Sequence, residues 1–267
     1  MRASADRRGR ADALWRLERA AFVAGARPHA LPGGELYLHP EVPEVWDASF
    51  VANLRFPLDV DRLLEAAAHG FSLAGCGHHK LWVRQADAFP TFGRRLVERG
   101  FSERRMVIMS APTEALPPRR PPPAGLRIEP VRDSADRRDL AFAREGCRRD
   151  APWFGPEVCR ALDRWEDVQA RTLGLQWLVA YLEDEPVGAV GLLETEDGAS
   201  LQSLATVSHL RRQGIGQALI AKVRWLARSR GHATLSLLTD LDSDPQALYH
   251  RLGFLDTLEV RSYQRAI

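Results

Sequence analysis

The chain has 267 residues, and 37 lysines and arginines against 35 aspartates and glutamates leave a formal charge of +2. That length suits one large or two ordinary domains, and 45% hydrophobic with 27% charged residues excludes wholesale disorder. The near-balance of charge argues against a dedicated nucleic-acid binder, and no apolar run approaches the ~20 residues of a membrane span.

The first residues, Met1-Arg2-Ala3-Ser4-Ala5-Asp6, lack the apolar core of a signal peptide. Cys76, Cys147 and Cys159 are scattered and form neither a disulfide framework nor a metal knuckle. A cytoplasmic protein is the expectation. A helix is predicted over 11–24, with Leu14, Leu17, Ala21 and Phe22 on one face. Strands are predicted over 35–38 and 49–56, then a helix over 59–68 and a short strand over 80–83. A helix over 89–99 stops at Gly100, a residue favoured just past a helix end. Phe101 follows, then a strand through 106–109.

The run Leu116-Pro117-Pro118-Arg119-Arg120-Pro121-Pro122-Pro123-Ala124-Gly125 comes next. Its prolines lack backbone donors and restrict the residue before each, so the run is extended and semi-rigid. It reads as a linker, with a partner-binding proline motif as the competing reading. The chain therefore divides into 1–115, a linker over 116–125, and 126–267.

The second part begins with a strand over 126–130 and helices over 134–148 and 156–172. Strands over 177–182, 187–193 and 201–207, joined by turn residues, form an antiparallel meander. A helix over 214–228, a strand over 234–239, a helix over 245–252 and a strand over 257–263 complete the pattern. On the first of these helices Ile215, Leu219, Val223, Leu226 and Ala227 share a face, and Gln217, Lys222, Arg224 and Arg228 are expected to point away. There is also a quiet repeat. Arg94-Arg95-Leu96-Val97-Glu98-Arg99-Gly100-Phe101 resembles Ala247-Leu248-Tyr249-His250-Arg251-Leu252-Gly253-Phe254, which suggests duplication.

The stretch most informative about chemistry is Arg211-Arg212-Gln213-Gly214-Ile215-Gly216. It joins a strand to an amphipathic helix. Glycine lets backbone approach a ligand closely. The first amides of a helix lack internal partners and carry partial positive charge. Together they form a site for phosphate or pyrophosphate. A Walker A loop needs Lys-Ser/Thr where Gln217-Ala218 stands, and a dinucleotide fingerprint needs a third glycine where Leu219 stands. A bare helix start using glycine only for a tight turn is the remaining alternative.

The loop resembles the R/Q-x-x-G-x-G/A loop of the GNAT acetyltransferase superfamily. Ala205-Thr206-Val207 is similar to that family's fourth strand, and the segment from Ala247 to Phe254 is similar to its A-x-x-Y-x-x-x-GF element, with the alanine nearer the tyrosine than usual. The resemblance covers about 126–254. It implies an α/β protein of the α+β type, with tandem GNAT folds, each a mixed, mostly antiparallel sheet flanked by helices. The first copy is degenerate: Arg55-Phe56-Pro57-Leu58-Asp59-Val60 stands where the glycine loop belongs. An unrelated α/β domain is the alternative for that half.

The resemblance further implies acetyl-CoA as acyl donor, no metal, and transfer of its acetyl group to a primary amine of a small molecule or peptide. Backbone at Ala205, Thr206 and Val207 would pair with the pantetheine arm. Arg211, Arg212, Gln213, Gly214, Ile215, Gly216 and Gln217 would hold the pyrophosphate. Tyr249 is the candidate general acid for the leaving thiolate, and Glu194, with Glu196 and Gln202, the candidate base. Solvated turn carboxylates are the alternative for the two glutamates. An asparagine often holds the pantetheine after the fifth strand, but here Asp242-Ser243-Asp244-Pro245 stands. Ser243 is either that contact or a helix cap with Gln246 as its partner, Asp244 being the competing cap. Trp153 and Trp165 fall where this family shapes its acceptor pocket, or serve only the core. His78-His79 lacks metal-ligand spacing. A non-catalytic acyl-CoA-binding regulatory module is the alternative function. No nucleic-acid or membrane partner is expected, and the oligomeric state is open between monomer and homodimer.

Overall fold

A computed structural model describes residues 2–84, 89–114, 121–148 and 155–267. Half of the linker, 116–120, and Trp153 therefore lie outside the described residues. The first part of the chain runs α1 (Arg2–Val23), β1 (Arg27–Leu31), β2 (Gly34–Leu38), β3 (Phe50–Ala52), α2 (Val60–Leu73), β4 (His78–Val83), α3 (Arg94–Val97) and β5 (Ser102–Pro112). The second part runs β6 (Arg127–Pro130), α4 (Ser134–Arg148), α5 (Pro156–Leu173), β7 (Gln176–Leu182), β8 (Glu185–Thr195), β9 (Gly198–Thr206), α6 (Ile215–Ser229), β10 (Thr234–Asp240), α7 (Asp244–Arg251) and β11 (Leu255–Ala266).

All these strands lie in one 11-stranded sheet, ordered β1-β2-β3-β4-β11-β5-β10-β9-β8-β7-β6. From the central pair outward, β4 answers β10, β3 answers β9, β2 answers β8 and β1 answers β7. Only β3·β4 and β9·β10 run parallel, one pairing on each side of the centre.

The central pair is exchanged between the parts. β5 lies between β10 and β11, and β11 lies between β4 and β5. Each strand is antiparallel to its neighbours, so each fills out the sheet of the part it does not belong to. The side chains follow the strands. Val107, Met109 and Ala111 of β5 are buried in the cluster under α6 and α7. Tyr263 of β11 is fully buried in the cluster under α2, with Phe92, Leu96 and Phe101. Its hydroxyl donates to Glu103 of β5 at 2.6 Å. Tyr263 lies so close to Gly93 that any side chain there would collide with its ring. Arg104 of β5 grips Asp240 of β10 with Nε–Oδ1 and Nη2–Oδ2 contacts of 2.5 and 2.9 Å.

Helices cover both faces. α1 carries Leu17 and Ala21 into a cluster with α4, β7 and β8, and Leu14 and Trp15 into one with Phe50, Trp82, Ile108 and Val260. On the other face α6 buries Ile215, Leu219, Val223 and Ala227, the four-residue spacing of one helix stripe. α2 starts where Asp59 accepts from the amides of Asp61 and Arg62.

Three features differ from the sequence expectations. The helix expected over 89–99 is a π turn, Phe89–Gly93, followed by α3. β1 was not expected, because its residues are almost wholly exposed and show no alternating apolar pattern. Arg224 does not point away: it is buried, stacks 4.6 Å over Phe254 and donates to the Leu252 carbonyl at 2.7 Å. Its long apolar stem packs while the guanidinium closes the end of α7. Among the described residues no helix is long and apolar enough to cross a membrane.

Because β5 and β11 are shared, the parts should unfold together. Tyr263→Ala is expected to cost about 3–5 kcal/mol and to lower the midpoint of a single thermal transition. Two transitions, with only one shifted, would contradict the shared core.

Candidate functional site

β9 and β10 pair at only two registers, Leu235 with Ala199 and Ser236 with Ser200, and then part. The parting has a local cause in β9. Ser203 sits at φ 48°, and the register against β8 slips between Ala189 and Gly191. This is a β-bulge, which bends a strand and turns its free edge. Val207 N–H bonds back to Val187 of β8 at 3.0 Å. By alternation the Thr206 peptide faces the other way, toward the opening.

A 3₁₀ turn (Ser208–Leu210) leads from β9 to α6. Gly214 is the N-cap at φ 94°, with no side-chain cap. Its first-turn amides therefore keep the unmet donors of a helix start. These amides and the parted edge of β9 open on one cleft of about 1030 Å³. Arg211 and Arg212 line it from the loop, and Pro245, Leu248 and Tyr249 line it from α7. Tyr249 is largely buried, packs edge-on against Phe254 with centroids 5.7 Å apart, and has its hydroxyl pKa pushed up to about 12 by desolvation. The cleft thus combines helix-end donors, the guanidinium groups of Arg211, Arg212 and Arg251, and a phenol that stays protonated at neutral pH.

The structure brings most of the sequence-predicted residues together. Ala205, Thr206, Arg211, Arg212, Gly214, Ile215, Gly216, Gln217 and Tyr249 all line the cleft. Ile215 lends its backbone only, since its side chain is buried in the core. The Thr206 carbonyl accepts from Arg211 Nε at 3.2 Å.

Four residues stand apart from the predicted set. Gln213 is exposed outside the lining. Val207 is buried with its amide bonded to β8. Ser243 is spent as the cap of α7: its Oγ accepts from Gln246 N and donates to the Asp240 carbonyl at 2.7 Å. Glu194 also lies outside the cleft lining. It pairs in register with Ala199, one register from Ser200, on the neighbouring strand β8. There it bonds Arg230 and His232.

Gln202 points to the opposite face of the sheet, and there it meets a residue that sequence reasoning missed. Glu18 of α1 is buried, accepting from Ser236 Oγ at 2.5 Å, Ser200 Oγ at 2.7 Å and Gln202 Nε2 at 3.3 Å. Desolvation pushes its pKa up to about 7, against those hydrogen bonds, which lower it. A signal was available: Glu18 falls at i+4 from Leu14 and i−3 from Ala21, inside the apolar stripe of its helix. Trp165 of α5 packs in the core, its ring centre 5.9 Å from that of Phe22. His78 is buried with Nε2 3.2 Å from the Ser49 carbonyl. Among the described residues no group of three or more His, Cys, Asp and Glu could hold a metal ion.

The corresponding places in the first part differ. α2 begins at Asp59, whose carboxylate already occupies the helix-end amides. Phe101 N–H closes on the Leu96 carbonyl and Phe254 N–H on the Tyr249 carbonyl, in matching helix ends at Gly100 and Gly253, both at φ 81°. Leucine therefore stands where Tyr249 stands in the second part.

Residues 174–255 match the family model described as acetyltransferase (GNAT) domain. A search of curated proteins finds no match. Among solved structures, a conserved protein of unknown function from Staphylococcus epidermidis aligns at TM-score 0.75 and 15% identity, covering 91% of this chain and 95% of that one. A GCN5-related N-acetyltransferase from Kribbella flavida aligns at 0.66 and 19%, covering 93% and 92%. A tandem GNAT protein from the clavulanic acid biosynthesis pathway aligns at 0.55 and 11%, covering 88% and 79%. At these identities the likeness is one of fold.

Gly214 combines a left-handed backbone with close packing: a Cβ there would lie 2.9 Å from the Pro121 carbonyl oxygen. Gly214→Ala is expected to destabilise the protein by about 1–3 kcal/mol, read as a lowered melting midpoint. An unchanged midpoint would contradict this backbone geometry.

Proposed function

We propose that this chain, which carries a GNAT acetyltransferase domain over residues 174–255, moves the acetyl group of acetyl-CoA to a primary amine of a small molecule or peptide. The observation that carries this reading is the uncapped first turn of α6, opening on the same cleft as Tyr249 and the parted edge of β9. Bound acetyl-CoA supplies an acyl thioester activated for attack by an amine. The donor set suits it. Helix-end amides with Arg211 and Arg212 match a pyrophosphate, and the outward Thr206 peptide matches an amide lying along a strand edge.

The protein's own groups supply binding and a proton. The α6 amides fix the anionic end, and the free edge of β9 aligns the arm toward the point where β9 and β10 part. Tyr249 holds its proton at Oη through neutral pH, because burial has raised its pKa to about 12. A thiol has a reference pKa near 8.5, and a neutral phenol is competent to donate to its thiolate within a short, dry contact.

The first part, 1–115, we infer to be a second copy of the same fold that lost its cofactor site, joined through the linker 116–125. Two substitutions support this. The Asp59 carboxylate fills the helix end that a pyrophosphate would need and repels an anion. Leu96 cannot donate a proton where Tyr249 can.

Thiol release from acetyl-CoA across an amine panel, with acetyl-CoA binding measured alongside, tests the reading. Turnover on at least one amine is expected. Tyr249→Phe should lower kcat by about 100-fold and leave acetyl-CoA affinity unchanged. Binding without turnover on any amine would favour a non-catalytic acyl-CoA sensor, and full turnover by Tyr249→Phe would remove the tyrosine from the chemistry.

A further inference from the structure

α7 lays one face along the cleft. Asp244, Ala247, Leu248 and Arg251 all line it, at the i, i+3, i+4, i+7 spacing of one helix stripe. Leu248 is central in that face. Tyr249 and Arg251 stand on its two flanks, since two residues turn a helix by roughly 200°. Burial tells the flanks apart. Tyr249 is largely buried and packs on Phe254, whereas Arg251 is exposed. Tyr249 is therefore the inner edge of this wall, and Arg251 is its outer edge at the mouth of the cleft.

Arg251 enters the cleft wall uncommitted. Among the described residues no acceptor is bonded to it. The groups around it are engaged elsewhere. Asp256 of β11 is held by His250 at 3.2 Å and by Gln246 at 3.1 Å. Arg224 of α6 donates to the Leu252 carbonyl just past the end of α7. Asp244 also lines the cleft, but it opens α7, seven residues or about 10 Å along the axis from Arg251.

The start of α6 is closed on one side. Pro121 and Pro122 lie against Gly214, so near that a Cβ there would be 2.9 Å from the Pro121 carbonyl oxygen, and neither proline lines the cleft. A ligand whose anion is held by the α6 amides cannot continue past the linker. Its free run is along the cleft wall made by α7.

Acyl-CoA carries two separate anionic groups, a pyrophosphate and a phosphomonoester on the 3′-oxygen of its ribose. The α6 amides with Arg211 and Arg212 answer the first. Arg251, on a different element, is left for the second. We infer that Arg251 binds the ribose 3′-phosphate, and that it makes the site selective for acyl-CoA over donors that carry the same arm without this phosphate. This rests on the acyl-CoA reading above and names the end of the donor that the protein checks. A guanidinium offers paired donors that fit a phosphomonoester. Near neutral pH such a group carries close to two negative charges.

Calorimetric titration of the full chain with CoA and with 3′-dephospho-CoA tests this without an amine and without turnover. The wild-type protein should bind CoA about 10-fold more tightly than dephospho-CoA. Raised salt should shrink that preference, because the contact is exposed. Arg251→Gln should abolish the preference by weakening CoA alone, and Arg251→Lys should keep part of it. Both variants should melt with the wild type, since the side chain is exposed. Three outcomes would overturn the inference and leave acyl-CoA binding standing: equal wild-type affinity for the two ligands, a preference that survives in Arg251→Gln, or equal weakening of both ligands by Arg251→Gln, which would make Arg251 a pyrophosphate contact. Binding of neither ligand by the wild type would overturn the acyl-CoA reading and this inference with it.

Discussion

The structure depends on the exchange of β5 and β11 at the centre of its sheet. Neither part of the chain closes its own fold: each ends in a strand that completes the other. The exchange puts Tyr263 into one hydrophobic cluster and Met109 into the other, so apolar burial couples them rather than merely abutting them. A proline-rich connection then has little mechanical work to do, because relative placement is set by backbone pairing and buried side chains. It also brings α1, which begins the chain, across the strands β9 and β10 of the second part.

Against that symmetry, the chemistry is one-sided. Both parts hold a single parallel pairing followed by a helix, but the helix ends are finished differently. Asp59 satisfies its own first turn, as an ordinary cap does. Gly214, with no side chain, leaves the same donors open to a cleft. One residue type thus converts a capped helix into a candidate anion site, and the bulge at Ser203 gives that site a free strand edge beside it.

What was legible in the sequence follows what is local. Gly214 and Gly216 before an amphipathic helix, and Tyr249 five residues before Phe254, are short-range signals, and these residues converge on the cleft. The matching ends at Gly100-Phe101 and Gly253-Phe254 were legible for the same reason. The strand exchange was not, because partners such as Leu237 and Met109 are far apart in sequence and pairing leaves no local mark. Glu194 looked plausible from its strand, but its side chain bonds Arg230 and His232 outside the cleft lining. Glu18 was the reverse: its anomaly, an acid in an apolar stripe, was visible, while its meaning came only with Ser200 and Ser236 from distant strands. Ser243 shows a third case, where capping and ligand contact compete for one hydroxyl and the helix has taken it.

The central claim is that one sheet built from two similar halves holds one acyl-CoA site, in the opening between β9 and β10. Calorimetric titration of the full chain with acetyl-CoA measures this most directly. One molecule bound per chain is predicted, since the uncapped end of α6 opens on the same cleft as the parted edge of β9. Two molecules per chain, or saturable binding that persists when Gly214 and Gly216 are replaced in a variant that still folds, would contradict it.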